Sequence, residues 1–247
     1  MQNTKMPAEH YNSIALLEDE YWWHQIRYKL VLSALKLYGK SKQNPLIGDL
    51  GCGLGGLIRK LRSNYYHNVV GYEYDSEIVN SLIQDGICAY QQDLEGEMML
   101  TEGPFDIITA LDVMEHIQDD NLFLTKINNN LKPDGLAIIT VPAFSFLVSK
   151  WDYKLGHLRR YNRKQIINLA KECGFEVVKA TYFFAFVFPM VLMRKWSDTF
   201  RSVSGCEFPS VPHWVNKLLL LFGYVERCWL EFLPLPFGTS LLLIVKK

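Results

Sequence analysis

Three features of the sequence predict an α/β fold built on a doubly wound parallel sheet. Runs of β-forming residues alternate with segments of helical periodicity from Pro45 to Gly174. A glycine-rich turn, GCGLGG at 51–56, stands between the first of these strands and the helix after it. The length of 247 residues, 49% hydrophobic and 21% charged, suffices for one sizeable core and excludes disorder, a collagen-like repeat or a pure coiled coil. In βαβα order, right-handed crossovers make the strands parallel and cover both faces of the sheet.

The first element is a helix. Trp23, Ile26, Leu30, Ala34 and Leu37 recur at spacings of three and four between Asp19 and Tyr38, and Gly39 ends the run. On that helix the adjacent Trp22 and Trp23 point about 100° apart, so Trp23 joins the buried stripe and Trp22, with Tyr21 and Arg27, is free to form a lid. Pro45 opens the strand LIGDL, and Leu57 to Arg62 is a helix that starts on the glycines. Asn68 to Tyr72 is the second strand, Glu77 to Gln84 a helix, Ile87 to Tyr90 the third strand and Phe105 to Ala110 the fourth. Leu122 to Leu131 has helical spacing and stops at the turn KPDG, after which Leu136 to Val141 is β-rich. Asn162 and Gln165 form a capping box before a helix ended by Gly174. The strands Glu176 to Phe183 and Ser240 to Lys246 enclose an aromatic-rich insertion.

Lys plus Arg equals Asp plus Glu at 26 each, so no bulk positive field exists to hold a phosphate backbone, and nucleic acid is not an expected partner. The five cysteines form no C-x-x-C pair and read as buried thiols of a reducing compartment. MQNTKMPAEHYNS has neither an apolar h-region nor a cleavage site. The apolar run Tyr182 to Met193 falls short of the ~20 residues of a spanning helix, so a cytoplasmic protein is expected, at most peripheral at the inner membrane surface.

The chemistry starts at Asp49-Leu50-Gly51-Cys52-Gly53. Gly51, Gly53 and Gly56 fit G-x-G-x-x-G, which alone would suit a dinucleotide. Asp49 lies at the carboxyl end of the strand, where the ligand crevice of such a sheet opens. There its charge would repel a pyrophosphate and attract the ammonium and sulfonium of S-adenosylmethionine. The glycines let backbone approach that cofactor closely. Glu73 ends the second strand about 20 residues on, the spacing at which an acid accepts ribose hydroxyls. Asp93 is placed to accept the adenine amino group, with Leu94 against the ring.

On these residues the chain resembles the class I S-adenosylmethionine-dependent methyltransferases over almost its whole length. Asp49 to Gly53 is similar to the family's first motif, Glu73 to its ribose acid, Asp93 to its adenine contact, and Ala110-Leu111-Asp112-Val113-Met114-Glu115-His116 to its segment after the fourth strand. EDEYWWHQIRY and WDYKLGHLRRYNRKQI resemble a bacterial subgroup of undefined substrate, often associated with cell-surface sugar or lipid pathways. The resemblance implies a Rossmann-like seven-stranded sheet, mostly parallel with an antiparallel final strand. It implies a cofactor site of Asp49, Gly51, Gly53, Glu73, Asp93, Leu94, Leu111 and His116, covered by Trp22 and Arg27. The expected division is one domain, 1–247, with a helical lid at 1–40, a cofactor-binding core at 45–183, an apolar helical insertion at 184–237 and the final strand at 238–247.

Methyl transfer needs alignment more than acid–base help, and a base only for a protonated nucleophile. His24, His116 and His157 are the histidines expected at the crevice. His157 is the candidate base, with Arg160 to hold an anionic acceptor and Tyr161 to wall the pocket; His116 is expected against the cofactor. Some quinone O-methyltransferases bind a divalent metal with an acidic pair followed by Glu-His, as in Asp112, Glu115 and His116; at a strand–helix junction these side chains diverge, and no metal is expected. The acceptor is expected to be a small molecule or lipid-linked, in a cell-surface sugar, lipid or quinone pathway. A nicotinamide oxidoreductase and a noncatalytic partner protein are the alternatives.

In the insertion, Trp214, Leu218, Leu221, Phe222, Val225, Trp229 and Phe232 fall on one helical side, and Arg194, Lys195 and Trp196 suit a headgroup boundary. Packing on the sheet edge, a homodimer seam and a shallow membrane contact remain open readings of this surface.

Overall fold

The computed structural model describes residues 20–39, 44–98, 100–198 and 211–247. Its centre is a seven-stranded sheet of β1 (Ile47–Leu50), β2 (Val69–Glu73), β3 (Ala89–Gln91), β4 (Phe105–Leu111), β5 (Leu131–Pro142), β6 (Glu176–Phe183) and β7 (Ser240–Lys246), in the order β3-β2-β1-β4-β5-β7-β6. β1 to β5 pair in parallel, and β7 lies antiparallel between β5 and β6. The order reverses at β1, so the crevice opens beside its carboxyl end.

Alternate strand residues enter two separate cores. Ile47, Ile107, Ile138 and Ile244 face one side, where α1 (Trp22–Tyr38), α2 (Gly56–Arg62) and α3 (Ser76–Gln84) pack. Ile108, Ile139, Leu243 and Val245 face the other, with α4 (Asp120–Asn130) and α6 (Arg163–Glu172). A short α5 (Lys150–Leu155) follows β5, and α7 (Phe188–Asp198) and α8 (His213–Phe232) make up the insertion.

α1 is held by α8, its distant partner in sequence. Tyr21 at its N-cap makes no side-chain cap; instead Asn216 Oδ1 accepts the Trp22 N–H at 2.9 Å while its amide donates to the Glu20 carbonyl at 2.8 Å. At the crossing, a Cβ on Gly223 would lie 1.9 Å from Ile26 Cδ1, so only glycine admits this approach. Packed between α8 and the sheet, α1 is buried on most of its circumference rather than along one stripe. This reverses the expected roles of the two tryptophans: Trp22 is buried against Phe184 and Phe186, and Trp23 is only half-buried beneath Arg27.

Most other expectations hold within a residue or two. The Asn162–Gln165 capping box forms in both directions. KPDG does not precede β5 but bulges within it: Leu131 pairs with Phe105, Leu136 pairs with Ile107, and Asp134 takes φ 62 between them. Cys52 and Cys173 are buried thiols, whereas Cys88 is exposed and Cys228 half-buried. Asp19, the remainder of the lid before Glu20, and Cys206 lie outside the described residues, as do the side chains of Arg194, Lys195 and Trp196. Among the described residues, no helix is long and apolar enough to cross a membrane.

Candidate functional site

The glycine turn takes a left-handed conformation at every second residue, Gly51, Gly53 and Gly55. At Gly51 a Cβ would strike Val113 Cγ2 at 2.6 Å, whereas at Gly53 it would meet no atom within 4 Å. Gly53 therefore presents bare backbone to open space. Its N–H donates to Glu73 Oε2 at 2.9 Å, while Glu73 Oε1 accepts the N–H groups of Tyr74 and Asp75 at 2.8 and 3.3 Å. Burial pushes the Glu73 carboxyl up, and these three backbone hydrogen bonds oppose the push. Asp49, also buried, accepts the Thr109 hydroxyl at 2.6 Å from the adjacent β4.

One cleft of about 560 Å³ joins these residues. Asp49, Gly51, Gly53 and Glu73 form one end, and Asp93 and Leu94 continue it past β3. Trp22, Trp23, His24 and Arg27 of α1 border it above, Leu111 and His116 beside β4. His157 and Arg160 stand at the far end with Trp151 and Met190. The volume lies within the usual range of small-ligand pockets. Asp49 and Glu73 place carboxylates on the cleft wall, and the empty space over Gly53 leaves its backbone accessible without a side chain in the way.

Arg27 works differently from an open lid residue. Its guanidinium donates to the Leu111 carbonyl at 3.2 Å, pairs with Asp112 at 3.0 Å and lies 4.0 Å above the Trp23 ring. Asp112 itself takes φ 55, an uncommon conformation for an aspartate, held by Thr140 through two hydrogen bonds. α1 is thus latched onto the end of β4.

At the far end the structure assembles a cluster that joins His157 and Arg160 through Asp152, a residue the sequence did not single out. Asp152 Oδ2 accepts from the Ser149 N–H and hydroxyl at 2.8 and 2.9 Å, and Oδ1 meets His157 Nδ1 at 3.0 Å and Arg160 Nε at 2.7 Å. Burial pushes this carboxyl up, but the hydrogen bonds from His157 and Arg160 and the Arg160 charge outweigh it and hold it well below the usual carboxylate range. An ionised Asp152 places the His157 proton on Nδ1, leaving Nε2 as an acceptor. Nε2 lies 3.9 Å from Glu115 Oε1. Glu115 is 0% exposed, and neither of its carboxyl oxygens has a hydrogen-bond partner. Burial, then the Asp112 charge, raise its pKa well above the ordinary value against the pull of Arg27 and Arg160.

Two expectations are corrected here. Arg160 spends its guanidinium on Asp152 and the Ala143 carbonyl, so it braces the histidine loop rather than offering a free cation. Tyr161 is not on the cleft: it is buried in the core on the α4 side, its hydroxyl donates to Asp120 at 2.8 Å, and its backbone stitches the loop to the end of β5. The metal-type grouping also differs. Asp112 is taken by Arg27, while Glu115, His116 and His157 bring ligand atoms within 4.8 Å of one another. Sequence reasoning missed Asp152, although Ser149-Lys150-Trp151-Asp152 has the spacing of a capping box, which α5 forms.

A doubly wound sheet with its ligand crevice at β1, closed by an antiparallel strand between β5 and β6, is of the class I methyltransferase type. Residues 22–180 match the family model of the methyltransferase domain, and the chain belongs to that family. Over 159 residues it is 25% identical to the ubiquinone biosynthesis O-methyltransferase of Rickettsia typhi, covering 55% of this chain and 63% of that protein. It is also 25% identical to phosphoethanolamine N-methyltransferase 3 of Arabidopsis thaliana, over 53% of this chain and 29% of that one. The chain thus spans less than two thirds of either relative. Among solved structures it resembles phosphoethanolamine N-methyltransferase 2 of Haemonchus contortus in complex with S-adenosyl-L-methionine, with a TM-score of 0.59 and 18% identity over 91% of this chain and 52% of that one.

Proposed function

We propose that this protein moves a methyl group from S-adenosylmethionine to a nucleophile on a small-molecule or lipid-linked acceptor by in-line displacement. The observation that carries the reading is a single cleft with two chemically different ends: glycine turn and carboxylates at one, an Asp152-braced His157 at the other. Bound S-adenosylmethionine supplies a methyl group already activated on a sulfonium. Glu73 accepts the ribose hydroxyls with lone pairs its backbone donors leave free, and Asp49 attracts the cationic end. Asp93 and Leu94 receive the adenine, while Leu111 and His116 abut the cofactor. Trp22 and the latched Arg27 exclude water from above. His157 Nε2 takes the acceptor's proton, and Asp152 stabilises the resulting imidazolium. Arg160 acts as a positioning residue for that pair.

The likeness to ubiquinone-biosynthesis and phosphoethanolamine methyltransferases supports a small-molecule acceptor, in keeping with a sugar, lipid or quinone pathway in the cytoplasm. Equal numbers of acidic and basic residues argue against nucleic acid. Isothermal titration with S-adenosylmethionine, S-adenosylhomocysteine and NAD tests the assignment: the first two should bind and NAD should not. Binding of NAD alone would overturn it in favour of an oxidoreductase. Cofactor binding without turnover of any pathway acceptor would favour a noncatalytic partner protein.

A second reading has one specific observation behind it. Glu115, His116 and His157 could hold a divalent cation, with unpartnered Glu115 as its carboxylate ligand. Turnover that is lost on chelation and restored by added metal would select this reading over the metal-free base.

A further inference from the structure

α8 carries more apolar surface than its packing on its own chain uses. Its 20 residues make a rod about 30 Å long. The inward side packs on the core through the buried Asn216, Gly223 and Leu230 and the half-buried Leu219 and Leu220. The opposite side carries seven large apolar residues, Trp214, Leu218, Leu221, Phe222, Val225, Trp229 and Phe232, all exposed and none charged, with Trp214 at 70% and Phe232 at 82%. Single exposed apolar residues are ordinary; a contiguous row with a tryptophan near each end is the pattern of an interfacial helix.

A second, independent feature lies along one flank of that row. Lys29, Lys36 and Lys60 of α1 and α2 meet Arg227 and Tyr224 of α8 around a groove of about 510 Å³, with Glu231 as its acid. Arg227 is already engaged by Ser33 and Glu231, so the three lysines dominate the groove. Burial lowers the Lys29 pKa, and repulsion from Lys60 and Arg227 lowers it further, so the fold holds cations together at its own expense. A groove of that kind is relieved by an anion.

The other flank leads to the active cleft. Phe222 stacks on Phe186 at 6.1 Å, Phe186 meets Trp22 edge-on at 5.8 Å, and Trp22 borders the cleft. Beyond them α7 exposes Met190 and Met193, of which Met190 lines the cleft.

We infer that α8 is a membrane-docking element: its apolar row enters the headgroup–acyl boundary of a bilayer while the lysine groove takes anionic phospholipid headgroups. A bilayer satisfies both features at once, since it offers an apolar layer next to a plane of phosphates. A second copy of this chain would cover the apolar row but bring its own lysines alongside. Docking does not depend on the methyl-transfer reading. Where that reading holds, docking sets the cleft mouth beside the membrane, where a lipid-linked acceptor reaches Met190 without entering water.

Flotation of the whole chain with vesicles of phosphatidylcholine alone, and with about one quarter phosphatidylglycerol, tests this. The protein should float with the anionic vesicles, much less with the neutral ones, and progressively less as salt rises. Lys29→Gln and Lys36→Gln should each weaken anionic binding about fivefold. Leu221→Asp with Trp229→Asp should abolish it while leaving the melting temperature and S-adenosylmethionine affinity unchanged, because both side chains stand in solvent. Failure of the unmodified protein to float would overturn the inference, as would equal flotation of the double Asp variant. A dimer that does not float and is dissolved by Leu221→Asp would give the face to a second copy.

Discussion

Gly53 and Glu73, twenty residues apart in the chain, are joined by a 2.9 Å hydrogen bond from the Gly53 N–H to the carboxylate that closes β2. The contact fixes the glycine turn against the neighbouring strand, and Glu73 itself lines the cleft. The same carboxylate thus shapes the turn and serves as the proposed ribose acceptor.

Glu73→Ala should therefore weaken S-adenosylmethionine binding by more than the loss of one ligand contact. With charge-assisted hydrogen bonds at about 1.5–3 kcal/mol, a 10- to 100-fold rise in Kd is expected. Glu73→Gln, which keeps acceptor capacity on one atom, should lose less. Calorimetric titration of both variants measures the order; equal affinity in all three proteins contradicts the role.

At the other end of the cleft, Asp152→Asn should leave cofactor affinity near normal and lower kcat. The asparagine can present its amide to His157 Nδ1 and so move the imidazole proton to Nε2, where a base needs a lone pair. A drop of about 10²- to 10⁴-fold is expected for an acceptor with a protonated nucleophile. His157→Ala should match it, and the double variant should lose little more, since the two act as a unit. A kcat unchanged in Asp152→Asn, with turnover intact, leaves Asp152 a purely structural role.

The pH dependence of stability separates two buried carboxylates. Asp152 is depressed, so its stabilising contribution is whole above the unfolded carboxylate value, about 4, and is lost as pH falls through the lower folded value. Glu226 is the opposite case: burial raises it despite N–H donors from Phe184 and Ala185, so stability is whole below the unfolded value and lost as pH rises through the folded one. In thermal melts, Asp152→Asn should be less stable than the parent at neutral pH, with the gap narrowing below about pH 4. Glu226→Gln should gain on the parent as pH rises above about 4.5. Parallel pH profiles for the parent and both variants would contradict these assignments.

Gly223→Leu tests the seat of α1. Its side chain would collide with Ile26 Cδ1 and Cγ1, so overpacking of about 1–3 kcal/mol is expected, lowering Tm by roughly 2–4 °C per kcal/mol. Because α1 carries Trp22 and Arg27, cofactor affinity should fall with it. A variant with lower Tm but unaltered cofactor affinity would show that α1 does not cover the cofactor.

The legible part of this protein is the part written in local chemistry. Strand and helix periods, the glycines that favour left-handed backbone at 51 and 53, and an acid at the last residue of β2 all depend on near neighbours, and they led to the sheet and to the glycine-and-carboxylate end of the cleft. The Asn162–Gln165 cap was readable for the same reason. Contacts between distant segments were not. Nothing near Arg27 in the chain announces that Asp112 will take its charge. Tyr161, polar and beside two arginines, reads as a pocket wall until the loop is seen stitched to β5 with its hydroxyl on Asp120. Likewise, helical spacing placed seven apolar residues on one side of α8, but which side faces solvent was decided by Gly223 against Ile26 and Asn216 capping α1. Burial, and with it the raised pKa of Glu115 and the use of every charge at the site, is a property of what packs around a residue, and that is settled only when the whole chain has folded.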